Sequence, residues 1–418
     1  MSPKPETKVH HYGTLLALIL AGEVIFSLPF HIPRFFRPNM LEVFHLSNTQ
    51  LGDIFALYGV VALLAYFPGG AIADRFQARS LLALSLLATA FGGLYMYTLP
   101  DVTGLYLLFA YWGLTSILLF WAALIKATRD WGGQHTQGLA FGVLDGGRGL
   151  VAALFATVAL FTLGERLAAT GNSAAALQSV IAFYTSATLL SAVLIWFMLP
   201  TTDAQSSSTN AVQRPHWYRV LSEPVAWLQA GVVICAYCGY KALDNYGVYA
   251  VQVLDMSQLE AARLNTYASY TRPVAAVVAG LWADRWRSSK LVTLLFCCAA
   301  AAFFAMSQEF AAAVTTPLVI ANIVITFVAV YALRGIYFSL IEEAKLDKRI
   351  TGGVVGLISV LGFTPDIFFG AISGRILDAN PGAVGFQNYF LLLALVSVAG
   401  MAFTLVLSRL LAGRENSC

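Results

Sequence analysis

What most constrains this chain is a succession of apolar runs, each about twenty residues long and separated by short breaks rich in Gly, Pro and Asn. A helix needs ~20 mostly apolar residues to cross hydrocarbon. Such runs lie near 13–35, 49–72, 80–99, 104–126, 138–163 and 177–199, then near 225–250, 261–283, 290–307, 316–340, 353–375 and 387–410. The charge supply agrees with them. Only 11% of the 418 residues are charged and the mean hydropathy is +0.72, whereas a soluble domain carries about 25% charged residues. A chain this poor in charge cannot cover a water-facing surface, which excludes a soluble enzyme, a nucleic-acid binder and a disordered protein. The expected class is an all-α membrane protein with twelve transmembrane helices in two six-helix halves. The first run has no small-residue cleavage site behind it and reads as a retained span.

The one long break, Thr201–Pro224, is Ser/Thr-rich and then basic, and reads as a linker between residues 1–200 and 225–418. Loop charge sets the orientation, because Lys and Arg concentrate on the cytoplasmic side. With the N-terminus inside, sixteen of the 25 basic residues fall in inner segments. Five (Arg34, Arg37, Arg166, Arg263, Arg375) fall in outer ones, and four lie within the runs. The bias holds in both halves, so both termini are expected in the cytoplasm.

The two halves share a signature. After the second run the chain reads Gly70-Ala-Ile-Ala-Asp74-Arg75, with Arg79 beyond; after the eighth it reads Gly280-Leu-Trp-Ala-Asp284-Arg285. Here the sequence resembles the major facilitator superfamily, whose corresponding motif is G-x-x-x-D-R/K-x-G-R-R/K. The resemblance spans the whole chain, through the run count, the paired halves, the central linker and both motif copies. Gln77 and Ala78 replace the later Gly and Arg of the first copy, and the second keeps only Gly280, Asp284 and Arg285. The resemblance implies a monomeric secondary transporter working by alternating access. Its motif residues would form a cytoplasmic latch in which an aspartate at a helix end accepts charge-assisted hydrogen bonds. The stretch ALRGIYFSLIEEA resembles a bacterial subgroup of permeases labelled for sugar phosphates or nitrate, which places the chain in a bacterial inner membrane. Nitrate carriers of the superfamily pair arginines on spans two and eight, but Arg272 maps by the repeat offset onto Ala62.

Ionisable residues at mid-span are costly and mark substrate paths, proton sites or buried pairs. The runs hold Glu23, Asp145, Arg148, Lys241, Asp244, Arg272, Arg334 and Asp366. Asp145 with Arg148, and Lys241 with Asp244, are three apart, so each pair can neutralise itself along one helix face. The Lys241 neighbourhood reads as near the outer, wet end. Glu23, Arg148, Arg272 and Asp366 sit at similar depth. Guanidiniums suit a carboxylate, phosphate or sulfonate, and a desolvated carboxyl can carry a proton. The expected substrate-binding residues are Arg148, Arg272, Tyr267, Tyr270, Lys241 and Arg334; the expected proton-coupling residues are Glu23, Asp145 and Asp366. Among the six histidines, only His31, between Pro29 and Pro33, stands out.

No phosphate-binding glycine loop, zinc motif or nucleophile elbow occurs in the sequence. The pair Cys235 and Cys238 lies in an apolar run with no second pair at zinc spacing. Neither cofactor nor metal is expected. The implied function is transport of a small anionic or zwitterionic organic solute with protons, and the alternative is proton-driven efflux of drugs or metabolites. The expected partners are the solute, protons and the bilayer, with no nucleic acid.

Overall fold

The computed structural model describes residues 8–132, 137–200, 217–283, 285–308, 316–344, 346 and 348–415. The linker residues 201–216 and Asp284 of the second motif copy lie outside these. Among the described residues every regular element is helical and no strand occurs. That follows from burial in lipid, where a backbone must satisfy its own hydrogen bonds and an open strand edge cannot.

Among the described residues nine helices are long and apolar enough to span a membrane, or ten when the bent pair Tyr12–Val24 and Ser27–Phe35 counts as one. The two apolar runs near 225–250 and 261–283 are not in that tally. The first breaks at the 3-10 turn Leu243–Asn245, and the second is split into Gln258–Ser269 and Thr271–Ala283. Proline explains most breaks, since its ring clashes with the carbonyl four residues back and removes a donor. Pro273 points that clash at Ser269, where Gln258–Ser269 ends. Pro29 points it at Ile25, just past the end of Lys8–Val24, and the span bends there by 43°. Pro365 opens the helix Pro365–Ala379, where a missing N–H costs nothing.

The chain divides into two compact units, Met1–Leu46 with Leu57–Asn210, and Ser47–Ala56 with Ala211–Cys418. In the first, Leu18, Ala21, Ile25, Leu82, Leu86, Phe120 and Ala123 form a shared core. Buried hydroxyls bind its helices to one another: Ser85 donates to the Thr115 carbonyl at 2.7 Å, Thr89 meets the Thr115 hydroxyl at 2.8 Å, and Tyr58 meets Ser116 at 2.7 Å. In lipid such bonds and close packing replace the hydrophobic drive between helices.

The second unit packs aromatic rings, with Tyr246, Tyr249, Phe386 and Phe390 in mutual contact. The start of Asn48–Arg75 belongs to this unit. Asp378 accepts from the Thr49 N–H at 2.7 Å and from the Asn48 amide at 3.0 Å, while Arg375 grips Asp53 with both terminal nitrogens at 2.8 and 3.2 Å. Gly52 and Gly374 make that contact possible, because a Cβ on either would overlap the backbone of Gly370 or Asn48.

Candidate functional site

Each unit holds a buried cation clasped by carboxylates. In the first unit the cluster grows out of the broken first span. Glu23 lies in the last turn of Lys8–Val24, and His31 ends the π-helical segment Ser27–His31. Both side chains are 5% exposed. Eight residues along a straight helix advance about 12 Å, so the bend at Pro29 helps the imidazole reach back. His31 Nε2 stands 3.1 Å from Glu23 Oε1. An ionised carboxylate only accepts, so the imidazole donates.

The other carboxylate oxygen, Oε2, is 3.1 Å from Arg148 Nε. Gly22 makes room for that arginine, since a Cβ there would press on its Cδ at 3.3 Å. The guanidinium carbon lies 5.7 Å from the ring centres of both Phe26 and Trp121, within cation–π range. Trp121 closes a second π-helical segment, Thr115–Trp121. Segments of this kind are rare and recur at functional sites, and here two of them border one charge cluster.

The partner expected from spacing alone is displaced. Asp145 Oδ1 is 3.9 Å from Arg148 Nη1 and its side chain is 59% exposed, so the close anion is Glu23, on the helix Lys8–Val24 far back in the sequence.

In the second unit Lys241 stands in the last turn of Pro224–Ala242 and Asp244 on the following 3-10 turn. Asp366 is in the first turn of Pro365–Ala379. A cation at a helix C-terminus and a carboxylate at an N-terminus are each favoured by the helix dipole. Lys241 Nζ is 3.3 Å from Asp244 and 3.4 Å from Asp366. Residues 241–250 are all buried, which corrects the reading of this stretch as a wet outer end. The Tyr237 hydroxyl donates to Asp366 Oδ2 at 2.9 Å, and Lys241 Nζ lies 4.6 Å from the ring centre of Phe55. Tyr237 escaped the sequence reading although it precedes Lys241 by four residues, one turn along the same face.

The remaining expected residues are placed as follows. Arg334 is half-buried and stacks over Tyr240 at 3.9 Å. Arg272 is buried in the first turn of Thr271–Ala283. Tyr267 is exposed, and Tyr270 borders an apolar groove of about 590 Å³ with Val274, Val278, Trp282 and Leu294. Gly70, Asp74, Arg75 and Arg285 are exposed, and a Cβ on Gly70 or Gly280 would meet open space. Arg79 lies 4.3 Å from the ring centre of Trp196. Cys235 and Cys238 are buried free thiols. Among the described residues no group of three or more His, Cys, Asp or Glu could hold a metal ion.

Comparison with known proteins agrees with this architecture. The family model described as Major Facilitator Superfamily matches residues 19–333. The chain is 26% identical to "Inner membrane protein YihN" of Escherichia coli K12 over 96% of both chains. It is 25% identical to "Inner membrane protein YqcE" of the same organism, over 91% of this chain and 90% of that one. Among solved structures it resembles a bacterial homologue of the human lysosomal transporter Spinster in an inward-facing, unoccupied conformation, with TM-score 0.76, 16% identity and coverage of 96% and 98%. A D-xylose–proton symporter matches with TM-score 0.73, 16% identity and coverage of 94% and 96%. The helical membrane architecture and the family match lead to one conclusion: the chain belongs to the Major Facilitator Superfamily, and it is an integral membrane transporter of some solute rather than an enzyme.

Proposed function

We propose that this transporter is a proton-coupled symporter of a small anionic or zwitterionic organic solute. The observation that carries the reading is the buried Glu23–Arg148 contact at 3.1 Å, matched by Lys241 between Asp244 and Asp366. A buried ion pair stripped of one partner costs about 3–5 kcal/mol. Protonation of Glu23 would therefore leave Arg148 an uncompensated cation, and a solute carboxylate, phosphate or sulfonate would restore the balance. The proton and the anion each favour the other's binding, and that reciprocity is what symport requires. Lys241 with Asp366 follows the same logic in the second unit. Arg272 and Arg334 extend the supply of cations, Tyr267 and Tyr270 are further candidate contacts, and Asp145 is an outer proton site for Arg148.

Alternating access is assigned to residues 1–200 and 225–418, joined by 201–224 on the cytoplasmic side with both termini. Gly70, Asp74, Arg75 and Arg79, with Gly280, Asp284 and Arg285, form the latch. The working unit is a monomer, and YihN and YqcE support a bacterial inner membrane.

The experiment is a thermal-shift panel on purified protein with carboxylates, phosphates, sulfonates, sugars and lipophilic cations. A ligand of the folded state stabilises it by about 2.7 kcal/mol at a hundredfold excess over Kd. Stabilisation by an anion, followed by anion-driven acidification of the lumen of pyranine-loaded proteoliposomes, is the expected result. Stabilisation by lipophilic cations alone would overturn the reading in favour of efflux.

A further inference from the structure

We propose that His31 is a proton relay for Glu23, a positioning and proton-transferring residue in the transport cycle. The inference deepens the reading of Glu23 and Arg148 above and rests on it. His31 Nε2 lies 3.1 Å from Glu23 Oε1, and the other oxygen of that carboxylate faces Arg148 Nε at 3.1 Å. One carboxylate thus bridges a permanent cation and a titratable ring, and all three side chains are at least nine-tenths buried. Among the described residues several helices pack on Ser27–His31, and Asn48–Arg75 adds Tyr58, its ring centre 4.8 Å from that of Phe30. Lys8–Val24 presents Glu23, and Gln137–Thr170 presents Arg148, with the exposed Asp145 behind it. Ser173–Met198 presents Tyr184, its ring centre 5.8 Å from the imidazole, and Ile32–Phe35 carries the buried Arg34.

An imidazole differs from the other groups here in having two nitrogens that can exchange roles. In the resting cluster Nε2 holds the proton that it donates to Glu23. A proton delivered by water binds Nδ1, and the Nε2 proton passes to Glu23 Oε1. The ring ends neutral, as the other tautomer, and Glu23 ends as an uncharged carboxylic acid. One proton has entered and one has moved on, so the balance closes without any further reactant. Only this transfer releases Arg148; a proton that stopped on the ring would leave Glu23 ionised and still bridging both cations. Nδ1 is fully buried in this structure. The relay is therefore loaded only in a state that opens this side of the ring to water, which guards the cluster against a free proton leak.

The test is nitrogen NMR on the full-length protein in nanodiscs, labelled at histidine, with His10, His11, His45, His135 and His216 replaced by glutamine so that His31 alone reports. The expected result is the Nε2–H tautomer near pH 8 and the neutral Nδ1–H tautomer as the majority form near pH 5, bracketing the ordinary imidazole range of ~6.5. In Glu23→Gln the tautomer should no longer change with pH. Direct titration of the ring to imidazolium, a spectrum unchanged across that range, or a switch that survives Glu23→Gln would each overturn the relay. If the five-fold variant does not fold, the difference spectrum between the native chain and His31→Gln reads the same signals. A tautomer switch without any stabilising anion would sink the symport reading and leave the relay standing. Anion-driven proton uptake with a fixed tautomer would sink the relay alone.

Discussion

Removing the two partners of the Glu23–Arg148 pair should have unequal costs. At 3.1 Å and an effective dielectric constant of about 20 the attraction is about 5 kcal/mol, so neither partner is lost cheaply. Arg148→Met leaves a carboxyl that can take up a proton. A proton on that carboxyl, or on the adjacent His31, would neutralise the stranded charge, so the cost should fall below the range for a buried charge that cannot be neutralised. Glu23→Gln leaves a guanidinium that cannot shed its proton, and among the described residues its other carboxylate neighbour, Asp145, is 3.9 Å away and largely in solvent. Its cost should lie in the full range of about 3–5 kcal/mol for a buried charge without its partner. The double variant removes both charges and should fall within about 1 kcal/mol of the parent, as neutral replacements of buried pairs commonly do. Thermal midpoints of the four proteins in one detergent make up the cycle. The order parent, double variant, Arg148→Met, Glu23→Gln is expected. Equal midpoints for the two single variants, or a double variant as unstable as their sum, would refute the assignment of Glu23 as the counter-charge.

Three further outcomes follow from other contacts. Lys241→Gln should abolish anion-dependent stabilisation in the thermal-shift panel, because Asp244 and Asp366 would then face each other without the cation that stands 3.3 and 3.4 Å away; adding Asp244→Asn should recover folding but not anion response. Gly52→Ala or Gly374→Ala should destabilise by about 1–3 kcal/mol, the usual range for overpacking, because backbone rather than a flexible side chain occupies the space; a midpoint within error of the parent would count against the contact. Outside the membrane, the Ser257 backbone N–H and then its hydroxyl hold the Glu260 carboxylate below its ordinary range. A depressed value contributes stability above the ordinary carboxylate range and loses it as pH falls. Ser257→Ala should therefore weaken the acid-dependent part of the unfolding profile while leaving its alkaline limb alone.

Much of this was legible in residues because lipid permits so few backbone solutions. Apolar run length alone located most of the spanning helices, and Pro29, Pro273 and Pro365 mark where they break. The depth of Glu23, Arg148 and Asp366 along their runs identified charges that the fold does bury or half-bury. Partner choice was not legible. Spacing of three residues joined Arg148 to Asp145, yet the structure turns Asp145 outward and brings Glu23 from another helix, a tertiary contact that no local pattern encodes. The same spacing found Asp244 for Lys241 but could not find Asp366, 125 positions further on. The surroundings of Tyr270 were not legible either: it stands beside an arginine in a polar stretch of sequence, and it borders an apolar groove with Val274 and Trp282.

The two clusters follow a common physical plan. Each cation is anchored beside a helix break, Arg148 by a glutamate in the last turn of Lys8–Val24, and Lys241 by Asp244 on the turn Leu243–Asn245 and Asp366 at the start of Pro365–Ala379. A break frees backbone groups and lets neighbouring segments pivot, so the charges sit where small rotations change their separations most. Coulomb energy falls with distance, and at an effective dielectric constant of 20 lengthening a 3.1 Å pair to about 6 Å forfeits roughly half of its 5 kcal/mol. Protonation achieves a comparable loss with no movement at all. A pair that can be loosened either by a proton or by a hinge is one whose charge state and geometry are coupled, and that coupling is what the proposed proton-driven transport requires.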